Sequence, residues 1–592
     1  MADRVPSPAE QPPASAPPGC VVVCGMHRSG TSLTASLLAA LGVDMGDRLV
    51  PADRFNPRGY FEDRDLVEFH QRSFARLLPR APGHADWGWT TQACATAESF
   101  APLRDEAQRL IAKRNSAGTL WGFKDPRTTL LLDFWDPLLP APVYVAVYRS
   151  PAFVADSMQR LGAKVFLAHP EYAWSLWRLY NQRLLDFVRR HRNRCLLLNV
   201  EALGPQLAQF PGLLHDRLNL PLSTSDLRRQ FARELLQAQD DLQHVGSLSR
   251  VAWPEHYEIF DQLEALADLP AESHDLPGSS PAKPAICLER QQATELSILI
   301  PTYNDAGLAI EALASVERCT SGRYELLVLD DGSHDPESVR ILDALQAAGL
   351  PVLRQPNSGL SAARNALIRQ SRGRFILPLD ADNRLAPGFI ERALQAFAED
   401  PGLGVVYGDR QLFGALRNVK RPGDFSLTNT QFQNSIDACA MFRRELWDDL
   451  GGYDEHLFGF EDWEFWLHAG KRGWRFRYLP EVAFEYRVRP GSLLSQCNTV
   501  TGRLRFRRWL LTKHADLFFD SLPPILRRLA GGARPEDQPG WTPNLWQRSV
   551  MRLYWYTVGA RSRLAEAVGT ISRRFIAASE TATESGISGH PG

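Results

Sequence analysis

The sequence predicts an α/β protein made of two successive domains, each with a parallel sheet covered by helices, followed by a helical segment. Three observations lead to this fold class. Short apolar runs, as at residues 21–23 and 143–147, alternate with long helix-like stretches, as at residues 171–190. A stretch rich in Pro, Gly and Ser at residues 268–294 interrupts the alternation, and a second set of apolar runs follows it.

The elements can be placed in chain order. A first helix is expected at residues 31–41, directly after the first apolar run. The expected buried strands are residues 21–23, 143–147, 196–198, 296–300, 325–329 and 375–379. The expected organisation is a disordered tail at 1–18, a first domain at 19–267, a linker at 268–294, a second domain at 295–500, a basic helical segment at 501–576 and a disordered tail at 577–592.

Composition and charge limit the class of protein. At 592 residues the chain is too long for one hydrophobic core, so about two to four domains are expected. Hydrophobic residues make up 44% of the chain, as in soluble globular proteins, and the net charge of -1 argues against a nucleic-acid partner. The eight cysteines are scattered without a CxxC pair, which argues against a zinc site or a disulfide framework and suits a reducing compartment.

The terminal segments bear on localisation. Residues 1–18 are rich in Pro, Ala and Ser without an apolar core, so they do not resemble a signal peptide. No stretch approaches the ~20 apolar residues of a membrane span, and a cytoplasmic protein is expected. Residues 501–592 carry 14 Arg and Lys against 7 Asp and Glu. Two interpretations of this basic segment remain open: amphipathic helices at the inner membrane surface, or helices that pack on the preceding domains.

The first motif, residues 25–32, follows the first apolar run and predicts an anion-binding turn. Gly25 and Gly30 have the spacing of the P-loop, in which backbone N–H groups and the helix dipole attract phosphate. Thr31 stands where the P-loop has its lysine, which argues against a kinase or ATPase. Arg28 supplies a cation from within the turn instead.

Together with two later segments, this motif resembles the sulfotransferases that use 3′-phosphoadenylyl sulfate, over about residues 20–201. One segment is the apolar run followed by Arg149 and, eight residues on, Ser157; the other is residues 121–127. The resemblance implies a P-loop-like sulfotransferase domain that needs no metal. It implies that the donor is bound by Gly25, His27, Arg28, Ser29, Gly30, Thr31, Ser32, Arg149 and Ser157.

Sulfuryl transfer requires positive charge around the moving group and a base for the acceptor hydroxyl. Arg28 and Lys124 are the candidates for the charge. The alternative for Lys124 is a structural salt-bridge cluster with Arg127, Asp125 and Asp133. The resemblance implies a Glu or His base, for which Glu62 is the first candidate and His70 and His84 are the alternatives. His27 is expected to shape the loop without titrating.

The second set of motifs places polar residues at the ends of predicted strands. The first of these strands ends at Thr302, the second at Asp331, and the third at Asp380 and Asp382. A loop at residues 357–365 leads into a helix. Because the carboxyl ends of parallel strands meet at one edge of a sheet, a ligand site is expected there.

This set resembles the family 2 glycosyltransferases of GT-A (Rossmann-like) fold, over about residues 295–495. The resemblance implies that Thr302 and Asp331 hold the base and ribose of a nucleotide sugar, that Arg364 contacts its phosphates, that Asp380 contacts the ribose, and that Asp382 binds Mg²⁺ or Mn²⁺.

The same resemblance implies a base near residues 460–466. Asp462 is the first candidate to deprotonate the acceptor hydroxyl, with inversion at the anomeric carbon, and Glu461 is the alternative. Helix capping by these carboxylates is the structural alternative. The family often has a metal-binding His after the last strand, where this chain has Arg489.

The function expected from the sequence is that of a bifunctional transferase acting on a glycan or glycolipid. Two alternatives remain open: a glycosyltransferase whose N-terminal domain only binds a nucleotide or glycan, or an N-terminal small-molecule kinase. The sequence does not identify the donor sugar, the acceptor, the linkage, the sulfated position or the order of reactions.

Overall fold

The computed structural model describes residues 19–53, 56, 58–77, 87–91, 96–115, 118–222, 227–229, 231, 242–271, 295–319, 324–523, 526, 545 and 547–555. The expected tails at 1–18 and 577–592 and most of the expected linker lie outside these residues.

The first domain contains a four-stranded parallel sheet with strand order β2-β1-β3-β4. The strands are fully buried because hydrophobic cores lie on both faces of the sheet. The strands expected at 21–23, 143–147 and 196–198 are confirmed, whereas β2 was noted in the sequence only as a motif. The strands are β1 (Cys20–Cys24), β2 (Trp121–Lys124), β3 (Pro142–Tyr148) and β4 (Cys195–Asn199).

Helices surround this sheet and account for most of the domain. The first helix begins at Thr31, as expected. The helices are α1 (Thr31–Ala40), α2 (Arg64–Leu77), α3 (Ala97–Phe100), α4 (Arg104–Asn115), α5 (Leu132–Trp135), α6 (Pro151–Arg160), α7 (Lys164–Ala168), α8 (Tyr172–Arg190), α9 (Phe210–Leu218), α10 (Leu242–Ala252) and α11 (Pro254–Leu266).

The second domain contains a nine-stranded mixed sheet. Its main strand order is β7-β6-β5-β8-β12-β10-β13-β9, and β11 pairs with β10. The strands β5, β6, β7 and β8 run parallel, which brings their carboxyl ends to one edge. The strands are β5 (Leu296–Thr302), β6 (Tyr324–Asp330), β7 (Val352–Arg354), β8 (Phe375–Pro378), β9 (Arg384–Leu385), β10 (Leu403–Gly414), β11 (Asn418–Lys420), β12 (Met441–Arg443) and β13 (Arg475–Val488).

The helices of the second domain flank this sheet and continue into the basic segment. They are α12 (Ala306–Cys319), α13 (Pro336–Ala347), α14 (Leu360–Gln370), α15 (Phe389–Glu399), α16 (Leu427–Thr430), α17 (Arg444–Leu450), α18 (Glu461–Lys471), α19 (Leu493–Cys497), α20 (Val500–Lys513) and α21 (Ala515–Asp520).

The described part of the basic segment packs on the second domain. Phe506, Leu510 and Leu511 of α20 are buried in a cluster with Trp463 and Leu467 of α18. One face of this helix is therefore a packing face, as one of the two interpretations expected. Among the described helices, none combines the length and the apolar character needed to cross a bilayer.

The two domains share a continuous hydrophobic core. Trp253, between α10 and α11, stacks on Trp174 of the first domain with ring centroids 4.3 Å apart. Its indole Nε1 donates a hydrogen bond to Glu337 of α13 in the second domain, at 2.7 Å. This contact holds α10 and α11 against the second domain, so the two domains bury apolar surface together.

Candidate active sites

The loop between β1 and α1 has a backbone that depends on glycine. Gly30 has φ of 88°, and a Cβ at this position would lie 2.1 Å from Val200 Cγ2. Gly25 has φ of 151°, and a Cβ there would lie 2.2 Å from the Val147 carbonyl oxygen. Arg28 also adopts a left-handed φ, of 64°. The strand, the tight loop and the helix therefore have the local geometry of the turn that the spacing predicted to bind an anion.

This turn offers donors that suit an anionic group. The first N–H groups of α1 have no acceptor within the helix, and they point out of its N-terminus. Ser29 Oγ is buried and has no hydrogen-bond partner within the described part of the chain. Lys124 Nζ donates to Ser32 Oγ at 3.0 Å, which brings an ammonium to the start of the helix. These groups fit a phosphate or sulfate ester.

The second predicted anion contact lies beside the first. Arg28 Nε donates to Ser157 Oγ at 2.9 Å, so the loop and α6 meet. Burial, and then the charge of Arg149, lower the pKa of Arg28, which shows that positive charge is concentrated here. Arg149 itself donates from Nε to Glu201 at 2.5 Å and lies over the ring of Phe153.

Glu62 and Lys124 form a buried ion pair next to the loop. Lys124 Nζ lies 2.5 Å from Glu62 Oε1. Burial raises the pKa of Glu62, while Lys124 opposes the shift. The salt-bridge alternative is present only in part: Arg127 pairs with Asp125, but Asp133 pairs with Arg190 on the surface. Lys124 therefore faces the loop and Glu62.

The alternative bases differ in their surroundings. His70 is fully buried: Trp135 Nε1 donates to its Nε2 at 3.0 Å, and its Nδ1 lies 2.7 Å from Asp125. Both ring nitrogens are engaged, so His70 is held as a structural group. His84 lies outside the described residues. Burial lowers the pKa of His27 to about 3, so this ring is neutral in the loop.

In the second domain, a pocket of about 930 Å³ lies at the strand ends. Its lining includes the end of β5, the loops after β6 and β8, the start of α14 and the start of α18. All seven residues that the sequence predicted for this domain line it: Thr302, Asp331, Arg364, Asp380, Asp382, Glu461 and Asp462.

Asp331 and Thr302, the two residues predicted to hold the nucleoside, both line the pocket. The Asp331 carboxylate accepts hydrogen bonds from the backbone N–H groups of Ser358 and Gly359, both at 2.9 Å, and from Gln355 Nε2 at 2.7 Å. These bonds fix the loop at the start of α14. Thr302 Oγ1 is buried and finds no partner in the described ranges, which leaves it available to a ligand.

Arg364 connects two predicted site residues. It is 2% exposed, and its guanidinium donates to Asp380 through Nη2 and to Glu461 through Nη1, both at 2.5 Å. The two carboxylates compensate a cation that burial alone would penalise. Glu461 is consequently held in an ion pair with Arg364.

Asp382 is the residue predicted to bind a divalent metal. Arg489, at the position of the family's His, donates to its carboxylate at 3.2 Å, and Arg487 donates to its carbonyl oxygen at 3.0 Å. Within the described ranges, no group of three or more His, Cys, Asp or Glu is arranged to hold a metal. Mg²⁺ is commonly held by one or two carboxylates together with phosphate oxygens and water, so Asp382 and nearby Asp380 suit a metal that arrives with a diphosphate.

Asp462 has the environment of a general base. Asn434 Nδ2 donates to its Oδ2 at 2.9 Å, and the Trp463 N–H donates to its Oδ1 at 2.8 Å. Burial, and then the neighbouring carboxylates of Glu461 and Asp437, raise the pKa of Asp462 to about 7. Phe460 occupies the cap position, and both carboxylates lie in the first turn of α18, where Asp462 accepts from one of the backbone N–H groups of that turn.

Three further lining residues were not identified from the sequence. Asn434 contacts Asp462, and Asp437 pairs with Arg410 at 3.0 Å. No motif marks them, because they lie on β10 and on the segment after α16, far from the strand ends that carry the motifs.

Comparison with protein families identifies both halves of the chain. Residues 18–222 match the model described as Sulfotransferase family. Residues 297–451 match Glycosyl transferase family 2, and residues 375–576 match Glycosyl transferase family group 2.

Individual relatives match about a third of the chain. An uncharacterized glycosyltransferase of Bacillus subtilis, YwdF, is 30% identical over 205 residues, which are 32% of this chain and 74% of YwdF. Chondroitin synthase of Escherichia coli is 28% identical over 202 residues, 32% of this chain. Hyaluronan synthase of Pasteurella multocida is 25% identical over 201 residues, also 32% of this chain. The matched segment spans 28% of the chondroitin synthase and 20% of the hyaluronan synthase.

Two solved structures show limited similarity. Staphylococcus aureus TarS residues 1–349 in complex with UDP-GlcNAc has a TM-score of 0.31 and 19% identity, covering 38% of this chain and 73% of that chain. Mannosyltransferase PcManGT from Pyrobaculum calidifontis, in complex with GDP-Man and Mn²⁺, has a TM-score of 0.29 and 19% identity, covering 57% of this chain and 91% of that chain.

Proposed function

Because the chain belongs to the family 2 glycosyltransferases and carries a sulfotransferase-family domain before that part, we propose that it performs both transfers in the synthesis of one sulfated glycan or glycolipid. The second domain transfers a sugar from a nucleotide donor to an acceptor hydroxyl with inversion. The first transfers a sulfuryl group from 3′-phosphoadenylyl sulfate to a hydroxyl. The joining of two transferases in one chain supports a shared product.

The meeting of seven predicted residues in one pocket carries the proposal for sugar transfer. Asp462 removes the proton of the acceptor hydroxyl, and the resulting nucleophile attacks the anomeric carbon from the face opposite the nucleotide. The bond from that carbon to the diphosphate breaks, and the nucleoside diphosphate leaves. Asp462 suits the role better than Glu461, which is paired with Arg364.

Asp382 is proposed to hold Mg²⁺ or Mn²⁺ together with the donor diphosphate. A divalent cation there would neutralise charge that develops on the leaving group. Arg489, which contacts Asp382, adds positive charge on the same side of the pocket. Arg364 orients Asp380, which is assigned to the ribose.

Turnover of a panel of nucleotide sugars by the full chain tests this assignment. We expect nucleoside diphosphate release with one donor, its loss on chelation with EDTA, and its restoration by Mn²⁺ or Mg²⁺. Asp382→Ala should abolish release. Asp343→Asn, an exposed carboxylate on α13 paired with Arg354, serves as the matched control and should retain it. Release that persists in EDTA would refute the metal assignment.

The first domain is proposed to bind 3′-phosphoadenylyl sulfate across its two adjacent anion contacts. The Arg28–Ser157 hydrogen bond carries this proposal, because it joins the predicted donor-binding loop at residues 25–32 to α6, which carries another predicted donor-binding residue. Glu62 accepts the proton of the acceptor hydroxyl as the acceptor oxygen bonds to sulfur. The bond between sulfur and the phosphate oxygen breaks, adenosine 3′,5′-bisphosphate leaves, and Arg28 and Lys124 neutralise its charge.

Calorimetric titration of the full chain with adenosine 3′,5′-bisphosphate tests the donor site. We expect micromolar binding that is lost in Arg28→Ala and Arg149→Ala. Arg190→Ala, which removes an exposed arginine of the same domain, is the control and should bind normally. Absence of binding in the folded wild type would leave the domain as a non-catalytic binding module. Turnover of ATP would instead indicate a small-molecule kinase.

A further inference from the structure

The mouth of the glycosyltransferase pocket is bordered by exposed apolar side chains. Four of them form what we call the apolar rim: Phe458 (73% exposed), Leu494 (45%), Val500 (73%) and Leu504 (42%). Large apolar side chains exposed this far are individually ordinary, but their grouping around one opening marks an interaction surface.

Pocket lining and helix geometry place these side chains near one opening. Phe458 and Leu494 both line the pocket, and Cys497, one helical turn after Leu494, donates from Sγ to the Phe458 carbonyl oxygen at 3.3 Å. Val500 and Leu504 lie on the same face of α20, at positions i and i+4. The same helical face carries Arg503 and Arg507, which also line the pocket.

The rim is surrounded by positive charge. The helix α20 contains Arg503, Arg505, Arg507, Arg508 and Lys513 and no acidic residue. No Asp or Glu occurs in the sequence between Arg489 and Asp516. Arg505 and Arg508 are exposed and form no ion pair with any described residue. Phe506, Leu510 and Leu511 of the same helix are buried in the protein, so its exposed side chains are held in position.

From these observations we propose that the apolar rim and the arginines of α20 dock the protein onto an anionic lipid bilayer. The apolar side chains would enter the boundary between headgroups and acyl chains, and the arginines would contact anionic headgroups. A soluble polyanion would satisfy the arginines but leave Phe458, Val500 and Leu504 in water. The apolar content of the rim therefore favours a bilayer.

Docking would give the pocket a particular class of acceptor. The rim borders the opening next to the proposed base, Asp462, so the pocket would face the membrane surface. An acceptor hydroxyl carried close to that surface, as on a lipid-linked sugar, would reach it without leaving the bilayer. This consequence rests on the proposed sugar transfer, whereas the docking itself does not.

Co-sedimentation of the full chain with vesicles, without any sugar donor, tests the proposal. We expect binding to vesicles of phosphatidylcholine with phosphatidylglycerol and much less to phosphatidylcholine alone. The double variant Val500→Glu/Leu504→Glu should lower the bound-to-free ratio by about tenfold or more, because it removes two inserted side chains and adds negative charge.

A matched control adds the same charge elsewhere. The double variant Gln346→Glu/Ala347→Glu changes two exposed positions of α13, which flanks the edge strand β7. This variant should bind vesicles nearly as the wild type does. Thermal unfolding of each variant checks that it is folded.

Three results would overturn the proposal. The first is wild-type protein that stays in the supernatant with anionic vesicles, and the second is a rim variant that binds as the wild type does. The third is loss of binding in Arg505→Gln/Arg508→Gln with full binding in the rim variant, which would indicate a site for soluble polyanions. Because the co-sedimentation assay contains no sugar donor, its results would be the same if the proposed sugar transfer proved wrong.

Discussion

The pH dependence of sugar transfer follows from the surroundings of Asp462. Burial and two neighbouring carboxylates raise its pKa to about 7, and only the ionised form accepts a proton from the acceptor. With that pKa, about 90% of the carboxylate is ionised at about pH 8 and about 10% at about pH 6. We therefore expect kcat/KM to fall by about tenfold between these values as the pH is lowered.

Two variants test whether ionisation of Asp462 causes this pH dependence. Asp462→Asn should lower kcat/KM by about 10²- to 10⁴-fold, as for loss of a general base, and should remove the transition near pH 7. Asn434→Ala removes a hydrogen bond that favours the ionised form, so it should move the transition to higher pH. The assay is initial-rate release of nucleoside diphosphate across the pH range.

The contribution of Asp462 to the stability of the folded protein should change with pH in the direction opposite to the rate. The pKa of Asp462 is higher in the folded protein than its ordinary value, so the folded state favours the protonated carboxyl. The contribution of this carboxyl to the free energy of unfolding therefore falls as the pH rises from about 4 to about 7. A flat wild-type rate profile between pH 6 and pH 8, or an Asp462→Asn profile with the same transition, would refute the assignment of the base.

Three substitutions test other parts of the structure. Gly30→Ala places a Cβ 2.1 Å from Val200 Cγ2 at a residue with a left-handed φ. The substitution should cost about 1–3 kcal/mol in thermal unfolding and weaken the binding of adenosine 3′,5′-bisphosphate. Unchanged affinity would contradict the proposed role of the loop. Arg364→Met leaves the buried Glu461 and the partly buried Asp380 without their cation and should cost about 3–5 kcal/mol in urea unfolding. An unchanged midpoint would show that water compensates the two carboxylates. Trp253→Ala removes the stack on Trp174 and the hydrogen bond to Glu337 of the second domain. It should cost about 3–5 kcal/mol and divide the unfolding of the two domains into separate transitions; one undivided transition would show that other contacts couple them.

The strands and the positions of the motifs could be predicted because both depend on neighbours in the sequence. A run such as residues 21–23 is apolar on every side chain, which suits a strand buried on both faces, and β1 contains it. The rule that parallel strands end at one edge also placed Thr302, Asp331 and Asp382 together before the sheet order was known.

The choice among the candidate bases could not be made from neighbouring residues in the sequence. Glu461 and Asp462 are adjacent in sequence, yet Glu461 pairs with Arg364 from 97 residues earlier, and Asp462 accepts from Asn434 instead. His70 was an alternative base until its two nitrogens were found bonded to Asp125 and Trp135.

The sequence by itself determined the class of each domain, the loop that suits an anion, and the residue types at the strand ends, since these follow from periodicity and spacing along the chain. The tertiary structure decided which charges are paired, which pKa values shift, how Trp253 joins the domains, and that the rim and the basic helix border one pocket. The reason is physical: ion pairing and burial depend on distances between segments that are far apart in the chain, and the folded sheet alone sets those distances.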